Sequence, residues 1–308
     1  MLWVDKHRPK TLAALTHHPN TTERLESLAS NPAALPHLLF HGPPGSGRRT
    51  RIHALLRAIY GPGADRLRLD RRTFTTPTKK TVEIHTVCSN YHIEMCPGDV
   101  GISDRYVVQD VIKEMAANRS LSSVSTDFSN NMFDNGGTDD TSVSGKTPKA
   151  TRAEYKIVVL TEVDSLSKQA QAALRRTMEQ YAAGCRLILC CTHHSKVIDP
   201  LRSRCLSFRI PAPSVDDICV GLKRVAKKER VTLPDELCIN LARESDRNMR
   251  RALLSLESTL VASGSTASRT LKPDETVRKT DWEMYIIQLA SDITREQSPQ
   301  RVRSIFVC

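Results

Sequence analysis

A glycine-rich turn between an apolar run and a helical pattern constrains this chain more than any other feature. The turn is Gly42-Pro43-Pro44-Gly45-Ser46-Gly47-Arg48-Arg49-Thr50, and it follows the short apolar run 38–40. Over residues 51–59 the apolar side chains recur at helical spacing, which predicts a helix directly after the turn. Strand, glycine turn and helix form the context of a phosphate-binding loop, where backbone N–H groups and the helix dipole face an anion. A plain glycine turn is the alternative interpretation.

The loop departs from the usual nucleotide-binding pattern at its last two positions. That pattern has a lysine and then a serine or threonine after the final glycine, whereas this chain has Arg48 and Arg49. Arginine keeps the positive charge but presents a planar fork instead of a compact ammonium group. Arg49 also lacks the hydroxyl that usually holds Mg²⁺. The sequence therefore predicts a nucleotide site with weak or absent Mg²⁺ binding and poor hydrolysis.

Composition limits the class of protein. The chain has 308 residues, enough for two or three domains, and a net charge of +11, which favours an anionic partner. It contains no membrane-length apolar run and no signal peptide, so we expect an intracellular protein without a membrane partner. Its nine cysteines form no C-x-x-C pair, which predicts reduced thiols and no metal site.

Alternating strand and helix patterns around the loop predict a three-layer α/β domain over residues 1–212. Within it, the polar segment 119–153 is rich in Ser, Thr, Asn, Asp and Gly, which predicts a disordered insertion. Three helical patterns predict a small helical domain at 213–263. A polar linker at 264–280 then leads to 281–308, which we interpret as the truncated start of another helical domain.

Polar residues after the two buried strand patterns carry the candidate catalytic chemistry. Glu162 follows the apolar run 155–160 and is placed to activate water, but Thr161 stands where an Mg²⁺-holding aspartate is expected. Thr192 follows the second apolar run and can donate a hydrogen bond to a phosphate. A solvated acidic turn and an ordinary strand-end residue are the alternatives for these positions.

Arg204, in Leu201-Arg202-Ser203-Arg204-Cys205, lies beyond the second strand at the rim of the predicted sheet. An arginine there can project towards a neighbouring subunit's nucleotide, where such a residue is worth ~10³ to 10⁵ in rate. A solvated loop arginine is the alternative.

Five segments, in order, resemble the box motifs of the small subunits of replication factor C, the sliding-clamp loader of the AAA+ class. They are Trp3-Val4-Asp5-Lys6-His7-Arg8-Pro9, Gly42-Pro43-Pro44-Gly45-Ser46-Gly47, Leu160-Thr161-Glu162-Val163-Asp164, Ala173-Leu174-Arg175-Arg176-Thr177-Met178-Glu179 and Ser203-Arg204-Cys205. Thr161, Ser89-Asn90-Tyr91-His92, Cys190-Cys191 and Pro211-Ala212-Pro213-Ser214 resemble one subunit type within that family. The resemblance covers nearly the whole chain outside the insertion.

This resemblance implies an AAA+ αβα nucleotide-binding domain, a helical lid and the start of a helical collar. It implies a heteropentamer with the other replication factor C subunits, which uses ATP to load the sliding clamp PCNA onto primer-template DNA in the nucleus. The loop 42–50 would bind the ATP phosphates, and Val4, Arg8 and Pro9 would border the adenine. Arg250 would be the lid's sensor arginine at the γ-phosphate, while Arg204 would serve the neighbouring subunit's ATP.

DNA would be held through its phosphates by helix N-termini and basic side chains. The candidate contacts are Arg105, Lys113, Lys168, Arg175 and Arg176. A solvated helix face is the alternative for each, and the last two are also candidates for linking the subunit interface to DNA.

Two rival functions remain open. An active AAA+ ATPase of another kind, such as a branch-migration helicase, would need the lysine and metal positions that are replaced here. A basic DNA-binding scaffold that has lost nucleotide binding is the rival from a different class.

Overall fold

The computed structural model describes residues 1–75, 81–98, 101, 104–117, 155–182, 184–263, 270–271, 277 and 279–295. The predicted insertion at 119–153 lies outside the described residues, as do 296–308 and most of the predicted linker. The chain forms two compact units, Arg8–Ala212 and a second that combines Met1–His7 with Pro213–Cys308. The first seven residues thus group with the helical unit, whereas the sequence interpretation placed them in the α/β domain.

The unit Arg8–Ala212 is built on one seven-stranded sheet with the spatial order β2-β3-β4-β5-β6-β1-β7. Strands β4, β5, β6, β1 and β7 run parallel, while β2 and β3 extend one side of the sheet in antiparallel pairing. The strands are β1 (His37–His41), β2 (Arg68–Thr75), β3 (Thr81–Cys88), β4 (His92–Met95), β5 (Lys156–Leu160), β6 (Cys185–Cys191) and β7 (Cys205–Arg209).

Helices flank this sheet and make up the second unit. In chain order they are α1 (Trp3–Lys6), α2 (Pro19–Ser30), α3 (Arg48–Tyr60), α4 (Asp104–Ala117), α5 (Lys168–Gln180), α6 (Asp199–Arg202), α7 (Val215–Glu229), α8 (Asp235–Glu244), α9 (Met249–Ala262) and α10 (Asp281–Arg295). Helices α1 and α7–α10 belong to the helical unit.

Buried side chains cover both faces of the sheet. Because successive strand residues point to opposite faces, Leu38 and Phe40 of β1 share a core cluster with residues of α2 and α3. Leu39, between them, belongs to the opposite cluster, which includes residues of α4 and α5. Each of these fully buried side chains stabilises the fold by roughly 2 kcal/mol. The predicted three-layer αβα arrangement is therefore confirmed.

The helical unit begins with a reciprocal cap. The Ser214 hydroxyl accepts a hydrogen bond from the backbone N–H of Asp217, whose carboxylate accepts one from the Ser214 N–H, both at 3.0 Å. Helices α7, α8 and α9 then enclose a common core. Helix α1 packs on α9, where the Trp3 N–H donates to Glu257 at 3.0 Å. On α10, Trp282 and Ile286 are exposed.

Two negative findings concern the described part of the chain. None of its helices has both the length and the apolar character needed to cross a membrane. All eight cysteines in that part are free thiols, four of them buried: Cys185, Cys190, Cys191 and Cys238.

Candidate nucleotide-binding site

The predicted phosphate loop lies at the C-terminal end of β1, and its backbone requires glycine. Gly42, Gly45 and Gly47 have φ angles of 155°, 75° and 86°, values that other residues rarely adopt. A Cβ atom on Gly42 would lie 2.0 Å from the carbonyl oxygen of Ile210, so the loop passes directly against the end of β7. Gly47 immediately precedes α3, and the N–H groups of that helix's first turn open towards the loop.

A fully buried arginine supports this loop. Arg51 donates hydrogen bonds to the carbonyl oxygens of Ser46, at 3.3 Å, and His17, at 2.7 Å. The Ser46 hydroxyl in turn donates to the carbonyl oxygen of Pro43 at 2.8 Å. Burial lowers the pKa of Arg51 to about 10, so its guanidinium is charged at neutral pH. A positive charge is thereby fixed next to the loop.

Arg48, at the position of the usual lysine, reaches the end of β6. Its Nη1 donates to the carbonyl oxygen of Cys191 and, at 3.2 Å, to the hydroxyl oxygen of Thr192. Two residues predicted to contact phosphates are thus brought together. In this structure the Arg48 guanidinium binds protein oxygens that lie where a phosphate-sensing residue was predicted.

Arg49 is paired with a buried glutamate on β4. Its Nη2 lies 2.5 Å from Oε1 of Glu94, and Nε2 of His53 lies 3.1 Å from Oε2. Burial by itself would raise the pKa of Glu94, but the hydrogen bond from His53 and the charge of Arg49 hold it down to about 2. The sequence interpretation missed Glu94. A glutamate between Ile93 and Met95, in an apolar strand, was the signal that could have found it.

The residues present do not fit a bound Mg²⁺ at the usual position. Thr161 is buried, and its hydroxyl donates to the carbonyl oxygen of Met95 at 3.2 Å. Arg49 replaces the other metal ligand and is itself bound to Glu94. Magnesium requires oxygen ligands. The Arg49 side chain offers none, and Thr161 offers only a neutral hydroxyl that is already bound to Met95. Among the residues that the structure describes, no group of three His, Cys, Asp or Glu side chains is placed to hold a metal ion.

The two carboxylates after β5 have different surroundings. Glu162 is exposed in the left-handed backbone region, with φ at 54°, and its Oε2 accepts a weak hydrogen bond from the Cys96 thiol at 3.9 Å. Asp164 accepts the backbone N–H of His193 at 3.1 Å, which ties the turn after β5 to the end of β6. Asp164 therefore has a structural contact, while Glu162 is accessible to solvent.

Arg204 lies just before β7 and interacts with the C-terminal turn of α5. Its Nε donates to Oε1 of Glu179 at 2.7 Å, and its Nη1 donates to the carbonyl oxygen of Pro200 at 2.8 Å. The Arg204 side chain is 39% exposed and that of Glu179 is 50% exposed. Two sequence motifs, Arg-Arg-Thr-Met-Glu and Ser-Arg-Cys, are thus joined by this ion pair.

The candidate DNA contacts lie on two neighbouring helices. Helices α4 and α5 pack together, and the buried carboxylate of Asp104 joins their N-termini because it accepts the backbone N–H groups of Arg105, at 2.7 Å, and Ser167, at 2.8 Å. Four of the candidates are exposed, namely Arg105, Lys113, Lys168 and Arg176. The fifth, Arg175, is half-buried. Lys113 also lies 3.7 Å from the carboxylate of Asp110.

The remaining predicted contacts are divided between the two units. Val4 and Arg250 belong to the helical unit, whereas Arg8 and Pro9 begin the α/β unit, and Thr50 lies in the first turn of α3. Val4, Arg8, Pro9 and Thr50 are half-buried. Arg250 is exposed in the first turn of α9, where Asn248 caps the helix. Their contacts with a nucleotide remain predictions.

Two family models match the chain. Residues 221–261 match the model described as "RCF1/5-like, AAA+ ATPase lid domain". Residues 144–214 match the model described as "DNA polymerase III, delta subunit". The first match includes α8 and nearly all of α9 in the helical unit, and the second covers β5 to β7 of the α/β unit.

Several curated proteins are similar over nearly the full chain. Replication factor C subunit 3 of Mus musculus is 43% identical over 304 residues, which cover 99% of this chain and 76% of that protein. Replication factor C subunit 5 of Oryza sativa is 42% identical over 308 residues, covering 99% and 78%. Replication factor C subunit 5 of Schizosaccharomyces pombe is 37% identical over 305 residues, covering 99% and 77%.

Among solved structures, the Holliday junction branch migration motor RuvB of Thermotoga maritima is similar in fold. It superposes with a TM-score of 0.56 at 16% identity, covering 94% of this chain and 80% of that chain. A mutant form of the same protein gives a TM-score of 0.52 at 17% identity, covering 83% and 67%. At these identities the likeness shows the fold alone.

Proposed function

Since the chain belongs to the family of replication factor C subunits, we propose that it acts in a heteropentameric clamp loader that places PCNA on primer-template DNA in the nucleus. In this proposal the subunit binds ATP in loop 42–50 and hydrolyses it weakly or not at all. Its main catalytic contribution is Arg204, which acts on the ATP of a neighbouring subunit.

The position of Arg204 carries the proposal. Its guanidinium is partly exposed and is held by the Glu179 carboxylate, which is half exposed itself. An ion pair of this kind contributes little to stability, so a stronger acceptor displaces it at low cost. The γ-phosphate of an adjacent subunit is such an acceptor, and an arginine at that place stabilises the charge that develops during phosphoryl transfer.

Three replacements support weak hydrolysis in this subunit's own site. Arg48 replaces the lysine, Arg49 replaces the Mg²⁺-binding hydroxyl, and Thr161 replaces the aspartate. Their side chains bind protein groups on β4 and β6. Phosphoryl transfer depends on charge placed at the transferred group, and these side chains are arranged for other contacts.

DNA binding in the proposal relies on the joined N-termini of α4 and α5. Exposed Arg105, Lys168 and Arg176 lie on these helices, and the backbone N–H groups of helix N-termini bind phosphates. Binding of this type weakens steeply with salt. The exposed lysine and arginines are therefore proposed to track the DNA backbone without reading its sequence.

Substitution of Arg204 tests the proposal. In a pentamer reconstituted with the other subunits, we expect Arg204→Ala to abolish the stimulation of ATPase activity by DNA and clamp, while nucleotide binding by this subunit is unchanged. Arg57→Ala is the matched control, because Arg57 is also ion-paired, to Asp65, but lies near the far end of α3. Unaltered stimulated ATPase in the Arg204 variant would contradict the proposal.

A nucleotide-free scaffold is the second candidate, and the arginines of the loop favour it. Arg48 and Arg49 both bind protein groups, so an empty loop is already satisfied in part. Equilibrium titration of the chain with a fluorescent ATP analogue separates the two candidates. Saturable binding supports the clamp-loader subunit described above, and no binding supports the scaffold.

A further inference from the structure

We infer that this subunit binds its nucleotide without Mg²⁺, with the Arg49–Glu94 pair beside the phosphate loop in place of the metal ion and its ligands. The inference rests on the nucleotide binding proposed above and concerns how the charge of the phosphates is balanced. A P-loop site ordinarily places Mg²⁺ against the β- and γ-phosphates. Here the chain's own side chains supply positive charge at that position.

The buried carboxylates are not available to a metal. Within the described residues, the buried carboxylates are those of Glu94 and Asp104. Glu94 is bound by Arg49 and His53, and Asp104 accepts the backbone N–H groups of Arg105 and Ser167. A Mg²⁺ ligated by Glu94 would have to displace Arg49 and His53 from that carboxylate.

The formal charge around the loop equals that of a conventional site. Arg48, Arg49 and Arg51, combined with the Glu94 carboxylate, leave two positive formal charges around the start of α3. A conventional site with one lysine, one aspartate and Mg²⁺ also leaves two. The nucleotide phosphates therefore meet the same formal charge here, but that charge is built into the polypeptide.

The guanidinium group of Arg49 is suited to bind phosphate directly. Arginine is weakly hydrated and presents a planar fork of donors that suits phosphate oxygens. One nitrogen of Arg49 is bound to Glu94, while the side chain is 53% exposed, which leaves donors accessible to a ligand. Glu94 orients this guanidinium at the N-terminus of α3, where anions are also favoured by the helix dipole.

The inference predicts that nucleotide affinity is independent of metal. Titration of the chain with fluorescent ADP should give dissociation constants within about threefold of each other in Mg²⁺ and in EDTA. The double substitution Arg49→Ser with Thr161→Asp rebuilds the hydroxyl and the carboxylate of a conventional site. Its affinity should become metal-dependent, weakening by about tenfold or more in EDTA.

Two variants guard against misfolding and general charge effects. Arg49→Lys keeps a positive charge opposite Glu94, and its dissociation constant for ADP should likewise be the same in Mg²⁺ and in EDTA. Arg57→Ala removes an ion-paired arginine from the other end of α3 and should change neither affinity nor its metal dependence. Thermal unfolding of each variant, with and without ADP, shows that it is folded and reports binding independently of fluorescence.

Two outcomes would overturn the inference. One is a loss of tenfold or more in the affinity of the unsubstituted chain when EDTA replaces Mg²⁺. The other is the absence of binding under both conditions. Co-purification with the other loader subunits is measured in parallel, so that a failed metal-free site is distinguished from a failure of the proposed clamp-loader role.

Discussion

The arginines of the phosphate loop and the arginine at position 204 are held in opposite ways. Arg48, Arg49 and Arg51 bind acceptors that belong to the interior, namely carbonyl oxygens and the buried carboxylate of Glu94. Arg204 binds the half-exposed carboxylate of Glu179. The contrast teaches that the loop's polar groups are part of what keeps this domain folded, whereas Arg204 makes a partly exposed ion pair that contributes little to stability. Changes at the loop should therefore reduce stability, and changes near Arg204 should leave it almost intact.

The largest expected effect is that of Gly42→Ala. The added Cβ would meet the Ile210 carbonyl oxygen at 2.0 Å in a backbone with φ at 155°, so we expect unfolding to become easier by roughly 3 kcal/mol. Urea denaturation measures this change. Gly61→Ala is the control, because Gly61 also has a positive φ, of 76°, but its Cβ would meet nothing within 4 Å. Backbone strain alone should cost about 1 kcal/mol there, without a steric clash. Equal losses in the two variants would show that the loop is not tightly packed.

Acid should destabilise the sheet through two of its histidines, the buried His92 and the half-buried His37. Burial, with the charge of His53, lowers the pKa of His92 from 6.5 to about 4, and burial, with the charge of Arg186, lowers that of His37 to about 4. Between pH 6.5 and about 4 the unfolded chain binds more protons at these histidines than the folded chain does. Their full contribution to the free energy of unfolding is therefore present above pH 6.5 and is lost as the pH falls through about 4.

Substitution of one of these histidines measures its contribution to the pH dependence of stability. In urea denaturation over this pH range, His92→Asn should flatten the dependence by at most about 1.4 kcal/mol per pH unit. An unchanged slope would mean that His92 is not held neutral by the fold. Glu94, with a pKa of about 2, acts in a lower window, where stability falls as pH drops below 4.5.

Glu179→Gln tests the expectation that the exposed ion pair of Arg204 contributes little to stability. The substitution removes the charged partner of Arg204 but keeps its shape, and because the pair is exposed we expect a loss of less than about 1 kcal/mol in stability. Stimulated ATPase of the reconstituted loader should persist, unlike that of the Arg204→Ala variant. A loss of several kcal/mol would place Glu179 among the residues that hold the domain together.

The smallest expected effect is that of Glu162→Gln. Glu162 is exposed, and the neighbouring Thr161 offers no carboxylate for Mg²⁺, so neither stability nor loader turnover should change. Single-turnover hydrolysis in the reconstituted pentamer checks this. A large loss of turnover would show that this subunit hydrolyses ATP after all and would remove the distinction between the two regions.

Local patterns predicted the parts of the fold that depend on neighbouring residues. The run into Phe40, the glycines of the loop and the helical spacing after it correctly indicated β1, the turn and α3. The partners of Arg49 and Arg204 could not be predicted, because Glu94 and Glu179 meet them only through the order of strands and the packing of α5.

The placement of the first seven residues in the helical unit could not be predicted either, because it also depends on a contact between residues distant in sequence. The Trp3 N–H is paired with Glu257 on α9, and nothing in the sequence near Trp3 indicates that distant carboxylate. The predicted contacts of Val4 and Arg250 with a nucleotide remain predictions, and the predicted disorder of the insertion at 119–153 lies outside the described residues.

Helix α5 makes side-chain contacts with other elements at both of its ends. Its N-terminus shares Asp104 with α4, and its last turn presents Glu179 to Arg204. A helix of 13 residues is about 20 Å long and resists bending over that distance. Helix α5 is therefore one rigid element that carries the N-terminus proposed to contact DNA at one end and the ion-pair partner of Arg204 at the other.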